Sequence, residues 1–378
     1  MIIVIPIGEN NPNETINTRS SQVSSVYQED MNGDVSDFES SLEVTNTPMT
    51  LDPEIPVYEN TTGFAWGVYV SGDYAYVADD LSGLAVIDIS NPTNPGTPVY
   101  ESFNKSAHCV YVSGNYAYIT YPYGLAVIDV SDPTNPGTPI FESMTSDARG
   151  IYISGDYAYI ADSFSGLAII DVSDPTNPGT PVYAATNGVT YDVYVSGDYA
   201  YVADGLSGMA IIDISDPTNP GTPIYPTTSG LVYGVYVRGD YAYLAHRLSG
   251  LSIIDVSDPT NPGTPIYRDT TGYAYNVYVS GDYAYLSIGE SGLAVINVSD
   301  PTDPGMPVYE DTNGDAHDVY VSGNYAYLAD GDYGLAVIQI QKSGGGIPFG
   351  NIFLIIIGFS VICLIFTKKR QIVRAYRK

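Results

Sequence analysis

The sequence predicts an all-β protein, a seven-bladed β-propeller of four-stranded blades closed by an N-terminal strand. Three observations predict it. A unit of about 42 residues recurs seven times, its Val-Tyr-Val or Ile-Tyr-Ile triplets starting at 68, 110, 151, 193, 235, 277 and 319. A fixed period near forty with strand-like content denotes a propeller or a solenoid. Each unit holds four strand-like runs. Finally, the array is out of phase with its own period. A Pro-Val-Tyr-Glu run at Pro56–Glu59 precedes the first triplet, and none follows the last.

The four runs are clearest in the first unit. Gly67–Ser71 is β-branched and aromatic and ends at a tight Ser-Gly-Asp turn. Tyr74–Ala78 alternates large and small side chains, the period-two pattern of a strand. Leu84–Ser90, LAVIDIS, is nearly continuously apolar and fits a strand covered on both faces. Pro98–Glu101 follows a proline-rich loop, which confines it to a sheet edge. The Val-Tyr-Val strand is therefore innermost and the Pro-Val-Tyr-Glu strand outermost. The last unit has inner strands at 319–322, 325–329 and 335–340 but no outer one, so Pro56–Glu59 is expected to complete it and close the ring. A linear solenoid would need polar caps, and none is visible.

The repeated GLAVIDIS (83–90), GLAVIDVS (124–131), GLAIIDVS (166–173), GMAIIDIS (208–215), GLSIIDVS (250–257) and GLAVINVS (292–299), with GLAVIQIQ (334–341) as a degenerate end copy, resemble LVIVD repeats. The resemblance covers about three quarters of the chain. It implies a β-propeller of the kind found in archaeal and bacterial surface proteins, and no particular activity.

The flanks are different in character. Residues 1–51 open with the apolar MIIVIPI, which has no basic residues before it and is short for a signal segment. The polar stretch after it predicts a disordered leader or stalk. Within that stretch, residues 30–36 place oxygen-bearing side chains at alternate positions. They lack the sixth-position Gly and twelfth-position Glu of a calcium loop. The cofactor expectation is therefore none, with calcium here the one exception weighed. The propeller is placed at 52–341 and a Gly-rich spacer at 342–351. Residues 352–367 are the expected core of a transmembrane helix, within an apolar region of 347–367 that has the length to span a bilayer. The basic tail at 368–378 places its own side in the cytoplasm and the propeller outside. This predicts a single-pass cell-membrane protein. The same tail resembles a prokaryotic C-terminal sorting signal, which implies cleavage and re-anchoring as the alternative. Asn13, Asn60, Asn104 and Asn297 head glycosylation triplets compatible with the exterior.

The net charge is −30, and six of the 13 Lys and Arg lie in the last eleven positions. Such a polyanion repels nucleic acid, which is not an expected partner. Two cysteines, Cys109 and Cys363, offer neither a disulfide framework nor a zinc spacing.

Positions that all copies share are most simply structural. Asp88, Asp129, Asp171, Asp213 and Asp255 precede Ser and a proline turn, where Asp bonds local backbone amides. Asp79, Asp162, Asp204 and Asp330 end the second strand and are read as turn residues. Function is expected where the copies disagree. The residues entering the inner strands differ: Trp66, His108, Arg149, Tyr191, Tyr233, Tyr275 and His317. So do the turns between second and third strands, which carry Tyr123, Phe164 and Arg247. Together they form a funnel of aromatics with His and Arg, suited to an extracellular protein or glycan ligand. His108, His246 and His317, the only histidines, are expected at this mouth, without a spacing that demands a metal. Cys109 beside His108 would point to the opposite face of its strand, so no thiol–imidazole pair is expected. No catalytic residue is assigned. The leading expectation is a membrane-anchored surface module for adhesion, recognition or envelope scaffolding. The alternative is an exported glycan hydrolase or lyase using Arg149, His108 and His317.

Overall fold

A computed structural model describes residues 56–228, 230–340, 352–357 and 360–365. The repeat region is the predicted seven-bladed ring. In blade one the strands run Gly67–Ser71, Tyr74–Ala78, Leu84–Asp88 and Val99–Glu101, paired antiparallel in chain order. Hairpins between the first two strands turn on a glycine at positive φ, such as Gly72 at 58°, which a side chain would strain. The seventh blade takes Val57–Glu59 as its outer strand, with Val57 opposite Val337 and Glu59 opposite Leu335. Chain closure by the leftover strand is thus as expected.

Alternation along each strand explains the packing. In blade one, Val68, Val70, Ala75, Val77, Ala85 and Ile87 face blade seven, where they meet Tyr327, Leu335 and Val337. Tyr76, Ala78, Leu84 and Val86 face blade two and meet Val110, Ile119 and Ile128. Seven such clusters, one per blade junction, form the core. Each buried Val, Leu or Ile contributes about 1.5–3 kcal/mol, so every blade depends on both neighbours.

Polar clamps join the blades at the loops. Asp204 is fully buried and accepts hydrogen bonds from Thr186 Oγ1 (2.8 Å), Asn187 N (3.1 Å), Gly188 N (2.9 Å) and Tyr225 OH (3.2 Å). Asp79, Asp162 and Asp330 hold the equivalent loops, Asp79 through Gly63 N at 2.8 Å and Asp330 through Gly314 N at 3.0 Å. Burial raises the carboxyl pKa of Asp162, Asp204 and Asp330, their hydrogen bonds only partly offsetting it. A tyrosine of the outer strand takes a further loop amide in the same blades: Tyr100 OH accepts from Thr62 N at 3.0 Å. In blade seven that tyrosine is Tyr58, 2.9 Å from Asn313 N, so the closing strand supplies side-chain contacts as well as ladder bonds. The reading of these aspartates as turn residues was incomplete: they pin the incoming loop. The second set behaves as expected. Asp88, Asp129, Asp171, Asp213 and Asp255 each accept the amide of the Ser two residues on at 2.8–2.9 Å, and the hydroxyl and amide of that Ser together lower their carboxyl pKa.

Three blades replace the clamp, with Tyr121, His246 and Ile288 at its position. In blade two the turn is one residue shorter and Tyr116–Asp129 runs as one continuous strand. Its outer strand, Ile140–Asp147, is correspondingly long and pairs as far as Pro122 opposite Asp147.

The transmembrane helix expected over 352–367 is not supported. Ile352–Ile357 and Ser360–Ile365 lie as two antiparallel strands, Ile352 opposite Ile365. The segment is rich in Ile and Val, whose branched Cβ favours extended backbone. Among the described residues no helix is long and apolar enough to cross a membrane. The leader 1–51 with its 30–36 stretch, the spacer 342–351 and the basic tail 368–378 lie outside the described residues.

The clamp predicts a contrast between two aspartates of blade four. Asp204→Ala leaves several donors without their acceptor and should cost about 2–3 kcal/mol, seen as a clearly lower thermal midpoint by circular dichroism. Asp213→Ala at the exposed turn should leave the midpoint nearly unchanged.

Candidate functional site

The inner strands open at one face of the ring into a cavity of about 410 Å³. Seven of the predicted residues line it, one from each blade: Trp66, His108, Arg149, Tyr191, Tyr233, Tyr275 and His317. They touch in succession and form an unbroken collar. Trp66 lies 4.5 Å from His317 between ring centroids, His317 4.8 Å from Tyr275, and Tyr275 5.6 Å from Tyr233. Tyr233 meets Tyr191 edge-on at 4.5 Å, and the Arg149 guanidinium sits 4.5 Å over the Tyr191 ring. Arg149 pairs with Asp147 at 3.2 Å, Asp147 lies 3.6 Å from His108 Nδ1, and His108 faces Trp66 edge-on at 6.5 Å.

Asp147 closes the collar and was missed in the sequence. It sits at the end of the long outer strand of blade two, and the shortened 41-residue spacing there was its only signal. Also unforeseen is a second ring deeper in the channel. Tyr69, Tyr111, Tyr152, Tyr194, Tyr236, Tyr278 and Tyr320, the centres of the seven triplets, contact one another all the way round at centroid distances of 4.6–5.2 Å. Three residues past the collar on each strand, they lie about 10 Å below it. Burial raises the pKa of Tyr69, Tyr111, Tyr194, Tyr236 and Tyr278 and keeps those hydroxyls protonated. This ring narrows the channel below the cavity.

Between the collar and the tyrosine ring lies the residue that follows each collar residue. Three are glycines, because the next blade is too close for a side chain: a Cβ on Gly234 would sit 2.8 Å from the Asn276 Cα. Two are aspartates that latch neighbouring blades. Asp192 accepts Val193 N at 2.8 Å and, across the junction, Val235 N at 3.0 Å. Asp318 accepts Val319 N at 2.8 Å, Asn276 Nδ2 at 2.5 Å and, across the closing junction, Val68 N at 2.9 Å. Desolvation outweighs these bonds and pushes Asp192 up to about 7 and Asp318 up to about 6.

The remaining predicted residues lie outside the cavity. Tyr123 and Phe164 are exposed at their turns, 64% and 80%. Leu81, Leu206, Leu248 and Tyr333 are exposed at the equivalent turns. These turns bridge to the residues entering the next inner strand, as Asp80 does to Ala107, so the exposed apolar tips encircle the collar as an outer rim. Arg247 lies 4.8 Å over Tyr273 and 5.9 Å from the Tyr233 ring. A second hollow of about 440 Å³ adjoins the funnel at Tyr275 and carries Glu290 and Asp315.

His246 is a correction. It is not at the mouth but buried at 1% exposure in the place of a clamp aspartate, edge-on to Tyr267 at 5.6 Å. Burial pulls its pKa down to about 4, so it remains neutral. His317 is likewise held below its ordinary pKa by burial, partly countered by Asp315. His108 and Cys109 do not pair: His108 Nδ1 lies 3.0 Å from the Ala148 carbonyl, and burial pushes the Cys109 thiol upward. Among the described residues no three His, Cys, Asp or Glu side chains converge as metal ligands.

Among solved structures the chain is similar to the RRP9 WD40 repeats (TM-score 0.64, 8% identity, covering 78% of this chain and all of that one). It is also similar to a Kuenenia stuttgartiensis hydrazine synthase chain (0.57, 15% identity, 73% and 95%) and to the computationally designed Ika8 protein (0.55, 7% identity, 75% and 98%). At these identities the likeness is one of fold. No curated protein matches the chain. The LVIVD repeat family matches seven times, over 62–98, 105–139, 146–181, 187–223, 229–266, 271–312 and 313–343. With seven matched units accounting for nearly the whole propeller, the chain belongs to the LVIVD repeat family.

Proposed function

We propose that this protein is a cell-surface recognition module that binds its ligand or partner at the funnel face and is tethered to a membrane by its C-terminal segment. One observation carries the binding half. The scaffold is close to identical from blade to blade, yet the seven side chains at the mouth are Trp, His, Arg, Tyr, Tyr, Tyr and His, and they meet as a single collar. A ring held together by repetition has no packing need for that variety. The ring of tyrosines that narrows the channel below the collar supports a ligand held at the mouth. The exposed apolar tips of Leu81, Tyr123, Phe164, Leu206, Leu248 and Tyr333, one from each of six blades, support a partner large enough to rest across the face. A glycan chain end or a protein loop meets both requirements.

The tether rests on sequence alone. An uncharged apolar region at 347–367 followed by six basic residues in eleven combines membrane affinity with the charge asymmetry that orients membrane proteins, whichever backbone conformation the segment takes.

Two outcomes are expected. Trp66→Ala and Tyr275→Ala should each weaken ligand binding at least about tenfold, the usual cost of truncating an aromatic anchor, with thermal midpoints close to the parent. Glycan-array and pull-down screens with residues 52–342 would supply the ligand, and binding that survives both substitutions would place the site elsewhere. Removing 347–378 should move the protein from the membrane fraction to the soluble one, and retention in the membrane would reject the tether.

A further inference from the structure

The funnel's chemistry selects among ligands. Its upper wall is lined by the aromatic rings of Trp66, Tyr233 and Tyr275, and the negative quadrupole of such rings attracts cations. Arg149 is the one Lys or Arg among the lining residues, and it is already engaged by Asp147 and by the Tyr191 ring. Beneath the aromatics, Asp192 and Asp318 line the cavity with no ion-pair partner among the described residues. Asp318 is 9% exposed. Buried carboxylates are normally paired with a cation. Each Asp192 oxygen accepts one backbone amide, which leaves a lone pair free on each. Asp318 Oδ2 accepts only Val68 N and is likewise half used. A group carrying several N–H donors and one positive charge would fill these sites while its alkyl stem lies against the collar.

We infer that the funnel is a receptor for a protonated alkylamine, a free amine or a lysine side chain, held by Asp192 and Asp318 below and by the aromatic collar around its stem. This deepens the binding reading above and rests on it. It also gives the latches a second role. In the empty funnel the two carboxylates are held up in pKa by desolvation. A bound ammonium favours their ionised form, so amine affinity rises with pH through the range 6–7. The other groups facing the site act in the same sense or not at all. A proton gained by His317 beside Asp315 repels a cation, Arg149 is paired with Asp147, and Asn276 and the Cys109 thiol carry no charge.

Trp66 is the single tryptophan of the chain, so its fluorescence reports the collar directly. The full chain, kept soluble in non-ionic detergent, is titrated with n-butylammonium and with Nα-acetyl-lysine methylamide, and in parallel with n-butanol and acetyl-norleucine methylamide as uncharged counterparts. Expected are saturable Trp66 changes with both amines, none with the counterparts, and affinity about tenfold higher at pH 8 than at pH 5.5, as roughly one unit of pKa coupling gives. Asp192→Asn should lower affinity about tenfold and flatten the pH profile. Asp318→Asn, a second probe should the first perturb the fold, should do the same. Tighter binding of the lysine derivative would uphold the class and assign a polypeptide source; tighter binding of butylammonium would uphold it and assign a free amine. Equal response to the uncharged counterparts, no saturable response, or a pH profile unchanged by both substitutions would overturn the inference. If amines fail while a screened glycan or protein still depends on Trp66, the ligand class is wrong and the binding site stands. If nothing depends on Trp66, the site itself falls.

Discussion

Everything in this structure hangs on a three-residue strand. Val57–Glu59 pairs with Leu335–Val337 and joins the first part of the chain to the last. Without it, blade seven would have three strands and an unpaired edge. Tyr58 would no longer pack into the junction between blades six and seven or take the Asn313 amide. Because each blade buries one face on each neighbour, no blade is complete by itself. Closure therefore turns seven marginal sheets into one cooperative body, and two polar contacts reinforce it at the seam, Asp318 to Val68 and the Ala65–Gly331 bridge.

Closure also makes the site. The collar is a property of the ring: no two of its residues are adjacent in sequence, and all but Asp147 owe their position to a copy of the same strand. Repetition gives every blade the same backbone at the mouth, so a single substitution per copy changes the wall without disturbing the core. The tyrosine ring uses the opposite logic. There the same residue in every blade makes seven nearly equivalent contacts round the channel.

That difference decided what could be read from the sequence. The strands, their order and the closing role of Pro56–Glu59 were legible because periodicity and phase are explicit in a repeat. The seven collar residues were legible because they fall where the copies differ, just before strands that the copies share. The tyrosine ring was not, since an invariant tyrosine looks the same whether it packs in a core or faces its counterparts across a channel. Asp147 escaped because it reaches the mouth from an outer strand lengthened by a shorter turn elsewhere in the blade. His246 was misplaced although the copies align it with Asp79, Asp162, Asp204 and Asp330, and that alignment, rather than its chemistry, was the better guide. In the apolar tail, length and hydrophobicity argued for a helix while β-branched composition is equally at home in strands, and no repeat was there to arbitrate.

Native-state amide hydrogen exchange over Val57–Glu59 tests ring closure most directly. If the strand is the seam, its protected amides open only with the ring, and they exchange as slowly as those of Leu335–Val337, at the rate of the most stable units of the protein. Exchange of Val57–Glu59 at the rate of a free peptide, with Leu335–Val337 still protected, would show that the propeller holds without its closing strand and would contradict the account.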